Sequence, residues 1–344
     1  MKHSIVITTI NEPTVSVERV AKGAKKNGWD LIIAGDTKTP DDVFHEREDI
    51  TYLSFKDQEA AGWNLSEIIS SRTYARKMFG YLKAFQEKSD YIIDTDDDNW
   101  PLEDFFTPRN DLSFANVGDE GCFVFEGSGW VNIYQHFSPA SNVWPRGYPL
   151  SEITNSLPLA KMKLKSVDSI IFQGLAEGAP DVDAVHRLVF PHQEYTFNRE
   201  SPIEIRTGSY CPFNSQNTTW QRDSFFLMYL PFTCSFRMTD IYRSYIAQRI
   251  VQQMGRGVLF HHATVHQDRN VHSIITDFRD EVMCYTDDGG FMAGLADLDL
   301  DGLSNGEMLT RCYMFAEEKG YVTVDEKHGV AAWISDLKRA GIPV

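Results

Sequence analysis

Ser89-Asp90-Tyr91-Ile92-Ile93-Asp94-Thr95-Asp96-Asp97-Asp98-Asn99-Trp100-Pro101 runs from an apolar core into a knot of acids. Tyr91-Ile92-Ile93 reads as a short buried strand. Four aspartates follow within five residues, at 94, 96, 97 and 98. Carboxylates this dense repel one another, so bringing them together in a fold needs a reason. A hard divalent cation held by carboxylate oxygens supplies one. The structural alternative is a solvated acidic turn in which Asp and Asn form Asx turns. Position favours the metal, because the acids end a buried strand, where open α/β sheets place their ligands.

Working outward, the first hundred residues alternate strand and helix. Residues 4–10 are β-branched and end in Asn11-Glu12-Pro13. Residues 14–26 have helical spacing, with Val17, Val20 and Ala24 on one side, and Asn27-Gly28 stops them. A second apolar run, 30–34, ends in Gly35-Asp36-Thr37-Lys38-Thr39-Pro40, and residues 50–55 make a third strand. Residues 65–87 read as a helix with a break near Ser70-Ser71. This alternation predicts a parallel sheet with helices on its faces. Each strand ends in polar residues, so a nucleotide crevice along one edge is expected. No Gly-x-Gly-x-x-Gly or P-loop pattern is present, which argues against a dinucleotide dehydrogenase or a P-loop kinase. A metal and Lys or Arg side chains would then have to neutralise a diphosphate.

The chain has 344 residues and a net charge of −16, which argues against nucleic acid or an anionic membrane as partner. No apolar run reaches 18 residues, so no integral membrane anchor is expected. The five scattered cysteines read as reduced thiols, and the expected compartment is the cytoplasm. The composition sets no oligomeric state, and a homo-oligomer is compatible with it.

A series of motifs resembles the STELLO family of glycosyltransferase-like proteins. They are Ile7-Thr8-Thr9-Ile10-Asn11-Glu12-Pro13, Ala34-Gly35-Asp36-Thr37-Lys38-Thr39-Pro40, Arg76-Lys77-Met78-Phe79-Gly80-Tyr81-Leu82 and the acids 94–99. Val143-Trp144-Pro145-Arg146-Gly147, Phe172-Gln173-Gly174-Leu175, 212–218 and Thr264-Val265-His266 continue the series. The likeness covers most of the first 275 residues and thins after that. It implies a GT-A fold, a Rossmann-like sandwich that uses a metal and a nucleotide-sugar, here with a C-terminal helical extension. The expected division is a GT-A domain over 1–275 and an extension packed on it over 276–344. Within the domain, 1–130 would be the nucleotide-sugar half and 131–275 the acceptor half. STELLO proteins are anchored in the Golgi membrane, and that localisation is not carried over.

By the same resemblance, Asp98 would ligate Mn²⁺ or Mg²⁺. Asp96 would share the metal or join Asp97 against the nucleoside or sugar. Thr9, Asn11 and Glu12 at the first strand's end are base contacts, and Asp36 and Lys38 follow the second strand, with a plain turn as the alternative for Asp36. Arg76 is placed to reach the donor phosphates, with surface solvation as its alternative and as the stronger reading of its neighbour Lys77. Arg146 would clamp a phosphate or carboxylate, or else pack its stem on Trp144. Among the histidines 261, 262, 266 and 272, His266 is the candidate for the metal. Asp240 or Thr239 is expected to cap a helix over 241–254, and Asp240 is the candidate general base of an inverting transfer. Pro180-Asp181-Val182-Asp183 reads as a structural acidic turn. The function expected is transfer of a sugar from a nucleotide-sugar, UDP-sugar favoured, to a glycan or other hydroxyl acceptor. The alternatives are a catalytically silent GT-A binding module and a nucleotide-sugar mutase.

Overall fold

The computed structural model describes residues 1–109, 122–138, 140, 142–158, 161–163, 168–191, 193–268 and 273–344. Among them the strands are β1 His3–Thr8, β2 Asp30–Ala34, β3 Thr51–Leu53, β4 Tyr91–Thr95, β5 Asn99–Pro101, β6 Cys122–Phe125, β7 Gly129–Trp130, β8 Lys161–Lys163, β9 Ser169–Gly178, β10 Ile203–Ile205, β11 Ser209–Tyr210, β12 Asn217–Gln221 and β13 Gly257–Gln267. The α-helices are α1 Val15–Asn27, α2 Asp41–His45, α3 Phe55–Ala60, α4 Lys77–Gln86, α5 Ile133–Phe137, α6 Ala184–Val189, α7 Thr239–Gln253, α8 Ile274–Asp287, α9 Gly290–Ala296, α10 Asn305–Glu318 and α11 Glu326–Ala340.

The main sheet runs β3-β2-β1-β4-β12-β9-β13-β10-β6-β8, with β5 paired to β13. β3, β2, β1 and β4 are parallel, as the alternation predicts. β12 then enters antiparallel between β4 and β9, and β13 lies parallel to β9. The architecture is mixed α/β and Rossmann-like, as expected of a GT-A fold, with helices in the C-terminal part.

Successive strand residues face opposite sides of the sheet, and this sorts the helices. Ile5, Ile7, Leu31, Ile33 and Ile93 pack with Val17, Val20, Ala21 and Ala24 of α1. Val6, Ile32 and Ile92 join the other layer, with Met78, Phe79, Leu82 and Phe85 of α4. Gly80 lets α4 lie close on β1, since a Cβ there would stand 2.5 Å from Val6 Cγ1. α1 begins where Thr14 Oγ1 accepts from Val17 N at 3.1 Å and ends at Gly28, whose φ is 66°.

Two boundaries differ from expectation. The helix expected over 65–87 is a 3₁₀ turn at Asn64–Glu67, a loop, a second 3₁₀ turn at Tyr74–Arg76, and then α4. The N-cap of α7 is Met238, which offers no side-chain cap, and Thr239 and Asp240 lie inside the first turn. Asp240 therefore does not cap the helix, because both its oxygens are bonded elsewhere.

The tail is built into the core rather than laid on it. Trp333 and Leu337 of α11 are buried in the same cluster as α4, with the Phe85 and Trp333 rings 5.7 Å apart. Glu326 accepts from Tyr229 Oη at 2.6 Å, Thr233 N at 3.0 Å and Phe232 N at 3.2 Å. Asp336 accepts from the backbone of Asn64 at 2.9 Å and Leu65 at 3.0 Å. The five cysteines form no disulfide. Among the described residues no helix is long and apolar enough to cross a membrane.

Candidate functional site

A cleft of about 750 Å³ opens where the parallel strands end. It is lined by Thr9, Asn11, Asp36, Lys38, Arg72 and Tyr74 and by the acids Asp96, Asp97 and Asp98. Residues from later in the chain also line it: Arg146, Asp181, Arg187, Asn214, Gln216, Phe236, Arg237, Asp240 and Gln267.

The acids are not equivalent. Asp94 is fully buried and lies beneath the cleft, paired with Lys77 Nζ at 2.6 Å and Arg243 Nη1 at 3.0 Å. Lys77 also reaches Asp96 Oδ1 at 2.9 Å and the Thr95 carbonyl at 2.7 Å. Burial works against the Lys77 charge, but Asp94 and Asp96 outweigh it and raise the ammonium. Asp96 Oδ1 also accepts from Tyr74 Oη at 2.8 Å. Burial pushes the Asp96 carboxyl up, and Lys77 offsets only part of that. Asp97 Oδ2 accepts from Thr9 Oγ1 at 2.5 Å and Asn11 Nδ2 at 2.9 Å, which ties the end of β1 to the acidic turn. Asp98 Oδ2 accepts from Gln267 Nε2 at 3.1 Å. Burial first, then Asp96 and Asp97, push the Asp98 carboxyl up to about 7.

Four expected contacts are placed elsewhere or otherwise engaged. Arg76 lies away from the cleft, its guanidinium bonded to Gln58 Oε1 at 2.7 Å and the Ile69 carbonyl at 2.9 Å, between the rings of Phe55 and Phe79. One residue along a helix turns a side chain by about 100°, and so Lys77 takes the place expected of Arg76. Glu12 is exposed and does not line the cleft. His266 stacks on Trp100 with centroids 4.9 Å apart and approaches Asp268 Oδ1 at 3.3 Å. Strand alternation gives the cleft Gln267 and turns His266 away from it. His272 lies outside the described residues. Asp36 lines the cleft, yet its oxygens accept from Arg72 N and Thr37 N, both at 2.6 Å, so it shapes the turn.

Arg146 donates to both oxygens of Asp181, at 2.8 and 2.7 Å, and to both oxygens of Asp240, each at 3.1 Å. Asp240 Oδ2 also accepts from Ser215 N at 3.1 Å. Arg146 thus spends Nε and Nη2 on orienting two carboxylates, while its buried Nη1 has no hydrogen-bond partner among the described residues. Asp181, which its sequence marks only as a turn, is held well down, to about 2: burial opposes its charge, and Arg146 and Arg237 outweigh that.

Comparison with known proteins places the chain among its relatives. The family model for STELLO glycosyltransferases matches residues 237–342. A probable glycosyltransferase, STELLO2 of Arabidopsis thaliana, is 27% identical over 354 residues, covering 98% of this chain. A second from the same plant, STELLO1, is 25% identical over 349 residues, again covering 98% of this chain.

The chain is similar to STELLO proteins over nearly its whole length. The matched family is one of glycosyltransferases. The chain spans 45% and 44% of the length of these two curated relatives. The thinning of the likeness after residue 275 is corrected by the match itself, which runs through the tail to 342. STELLO-like character therefore includes α8 to α11, in keeping with their place in the core.

Among the described residues, no three His, Cys, Asp or Glu side chains are grouped to hold a metal ion. A cage made of protein alone is not what this STELLO-like site offers. The donor set fits the other mode, in which one or two carboxylates hold Mg²⁺ or Mn²⁺ together with substrate phosphates and water. Asp98 fits it best: a dication there would favour the charged form that burial disfavours. Asp96 fits through the oxygen that Lys77 and Tyr74 leave over.

Sequence reading missed Arg72, Tyr74, Asn214, Gln216, Phe236 and Gln267. Asn214 and Gln216 carried a signal in the 212–218 motif, and Tyr74 another, standing three residues before Lys77.

Proposed function

We propose that this chain is a metal-dependent glycosyltransferase. It would move a sugar from a nucleotide-sugar, UDP-sugar favoured, to a hydroxyl of a glycan acceptor, with inversion and Asp240 as general base. The observation that carries this reading is that Asp96, Asp97 and Asp98 line the same cleft as Asp240. Direct displacement needs a carboxylate on the acceptor side, opposite the leaving diphosphate. Asp98 and Asp96 would hold Mn²⁺ or Mg²⁺, which would stabilise negative charge on the departing diphosphate. Arg146 and Ser215 N orient Asp240, and Lys77 holds Asp96 in place.

A second reading, a silent binding module, is favoured by one contact: Arg146 occupies both Asp240 oxygens. One experiment separates the two. UDP-, GDP- and CMP-sugars are titrated by calorimetry with Mn²⁺ and after chelation, and turnover is followed with the donor that binds. Asp240→Asn is expected to keep donor affinity within about twofold while turnover falls about 10²–10⁴-fold. Donor binding without turnover in the wild type supports the silent module. Retention at the anomeric carbon of the first-formed product, read by NMR, overturns inversion.

A further inference from the structure

Three residues other than glycine have positive φ among the described residues: Arg72 at 62°, Lys88 at 59° and Asp288 at 48°. Two have a local explanation. Lys88 follows the end of α4, its N–H on the Phe85 carbonyl, and Asp288 caps α8 on the Cys284 carbonyl. Helices often end on one left-handed residue. Arg72 ends no helix; it sits in the loop before Tyr74–Arg76 and lines the cleft. A long side chain in this backbone region costs stability, and such outliers gather at ligand clamps.

The contact that holds it there is specific. Arg72 N donates to Asp36 Oδ2 at 2.6 Å, and Asp36 is itself buried and braced by Thr37 N. Asp36 thus fixes the backbone and leaves the guanidinium unspent. Among the described residues, the Arg72 and Lys38 side chains have no hydrogen-bond or ion-pair partner, and both line the cleft. This sets them apart from the other cations there. Arg146 is ion-paired with Asp181 and Asp240, and Arg237 with Glu281 and Asp181. Two uncommitted cations in one cleft of a chain with net charge −16 make a local anion site.

We propose that Arg72, with Lys38 in the same cleft, is the residue that recognises the diphosphate of the nucleotide donor, and that its strained backbone is kept for that purpose. This rests on the donor reading above and names its phosphate contact. A guanidinium presents paired donors that match phosphate oxygens.

The test uses the full chain with Mg²⁺ present. Inorganic pyrophosphate, UDP and GDP are titrated by calorimetry into the wild type, Arg72→Gly and Arg72→Ala, and melting is followed for each. Glycine takes positive φ without strain, so Arg72→Gly is expected to melt about 2 °C higher. It is expected to bind pyrophosphate and the bound nucleotide at least about tenfold more weakly. Arg72→Ala is expected to lose the same affinity without the gain in melting temperature. Wild-type affinity in Arg72→Gly overturns the assignment, and so does an Arg72→Gly protein that melts no higher than wild type. A wild type that binds pyrophosphate but neither nucleotide removes the nucleotide-sugar reading and leaves Arg72 as an anion site. A wild type that binds none of the three overturns both.

Discussion

Arg76 and Lys77 are neighbours with opposite fates, and the difference is rotation about a helix start. Lys77 is wholly buried and reaches Asp94, Asp96, the Thr95 carbonyl and Tyr74, whereas Arg76 braces the α3 side of the fold. Removing the ammonium leaves Asp94 with Arg243 as its remaining ion-pair partner and Asp96 with none. Lys77→Met is therefore expected to cost about 3–5 kcal/mol of stability, the usual penalty for breaking a buried charge cluster. Urea unfolding measures it, and a loss below about 1 kcal/mol would mean that Arg243 alone satisfies Asp94. Nothing in a linear Arg-Lys pair tells which of the two will face the acids.

Helix caps and strand faces decide the next scale. Asp183 caps α6, accepting from His186 N at 2.7 Å and Trp144 Nε1 at 2.6 Å. Burial pushes its carboxyl up to about 7 from an ordinary 3.8, against the pull of those two donors. A carboxyl raised in the folded state holds its proton there longer than in the unfolded chain. Its contribution is thus complete below about pH 4 and is lost as pH rises towards 7. Asp183→Asn removes that proton linkage. Between pH 5 and pH 8 the stability difference is expected to move in the variant's favour by about 2 kcal/mol. Urea unfolding at the two pH values reads it, and a difference that does not change with pH would show that the native carboxyl is ionised throughout. At the same scale, the alternation of β13 gives Gln267 to the cleft and His266 to Trp100. The His-bearing motif was visible in the sequence, but its face depended on a register set by the pairing of β13 with β9 and β5.

For the molecule as a whole, the tail completes the core. Trp333 is fully buried, Glu326 satisfies the 229–233 segment, and Asp336 satisfies the turn that starts at Asn64. A chain ending at residue 275 would expose the surfaces that α8 to α11 cover. It is expected to lose cooperative thermal unfolding and to aggregate, by calorimetry and light scattering, rather than to survive as a smaller domain. A soluble 1–275 fragment with a sharp transition would restore the expected boundary.

The sequence by itself determined the alternating strands and helices up to β4, the acids at the end of β4, and the polar ends that gather on one sheet edge. These follow from local periodicity and from parallel strands sharing a direction. It also carried the STELLO likeness, in motifs that the structure spreads between the cleft and its supports. Tertiary structure alone decided which partners each acid has. Asp94 is paired with Lys77 and Arg243, Asp97 is bonded to Thr9 and Asn11, and Asp240 to Arg146, while burial and its acidic neighbours push the Asp98 carboxyl up to about 7. The partners that make this distinction lie tens to more than a hundred residues away in the chain. A carboxylate's role is set by what surrounds it in space, and that is settled only when distant segments pack.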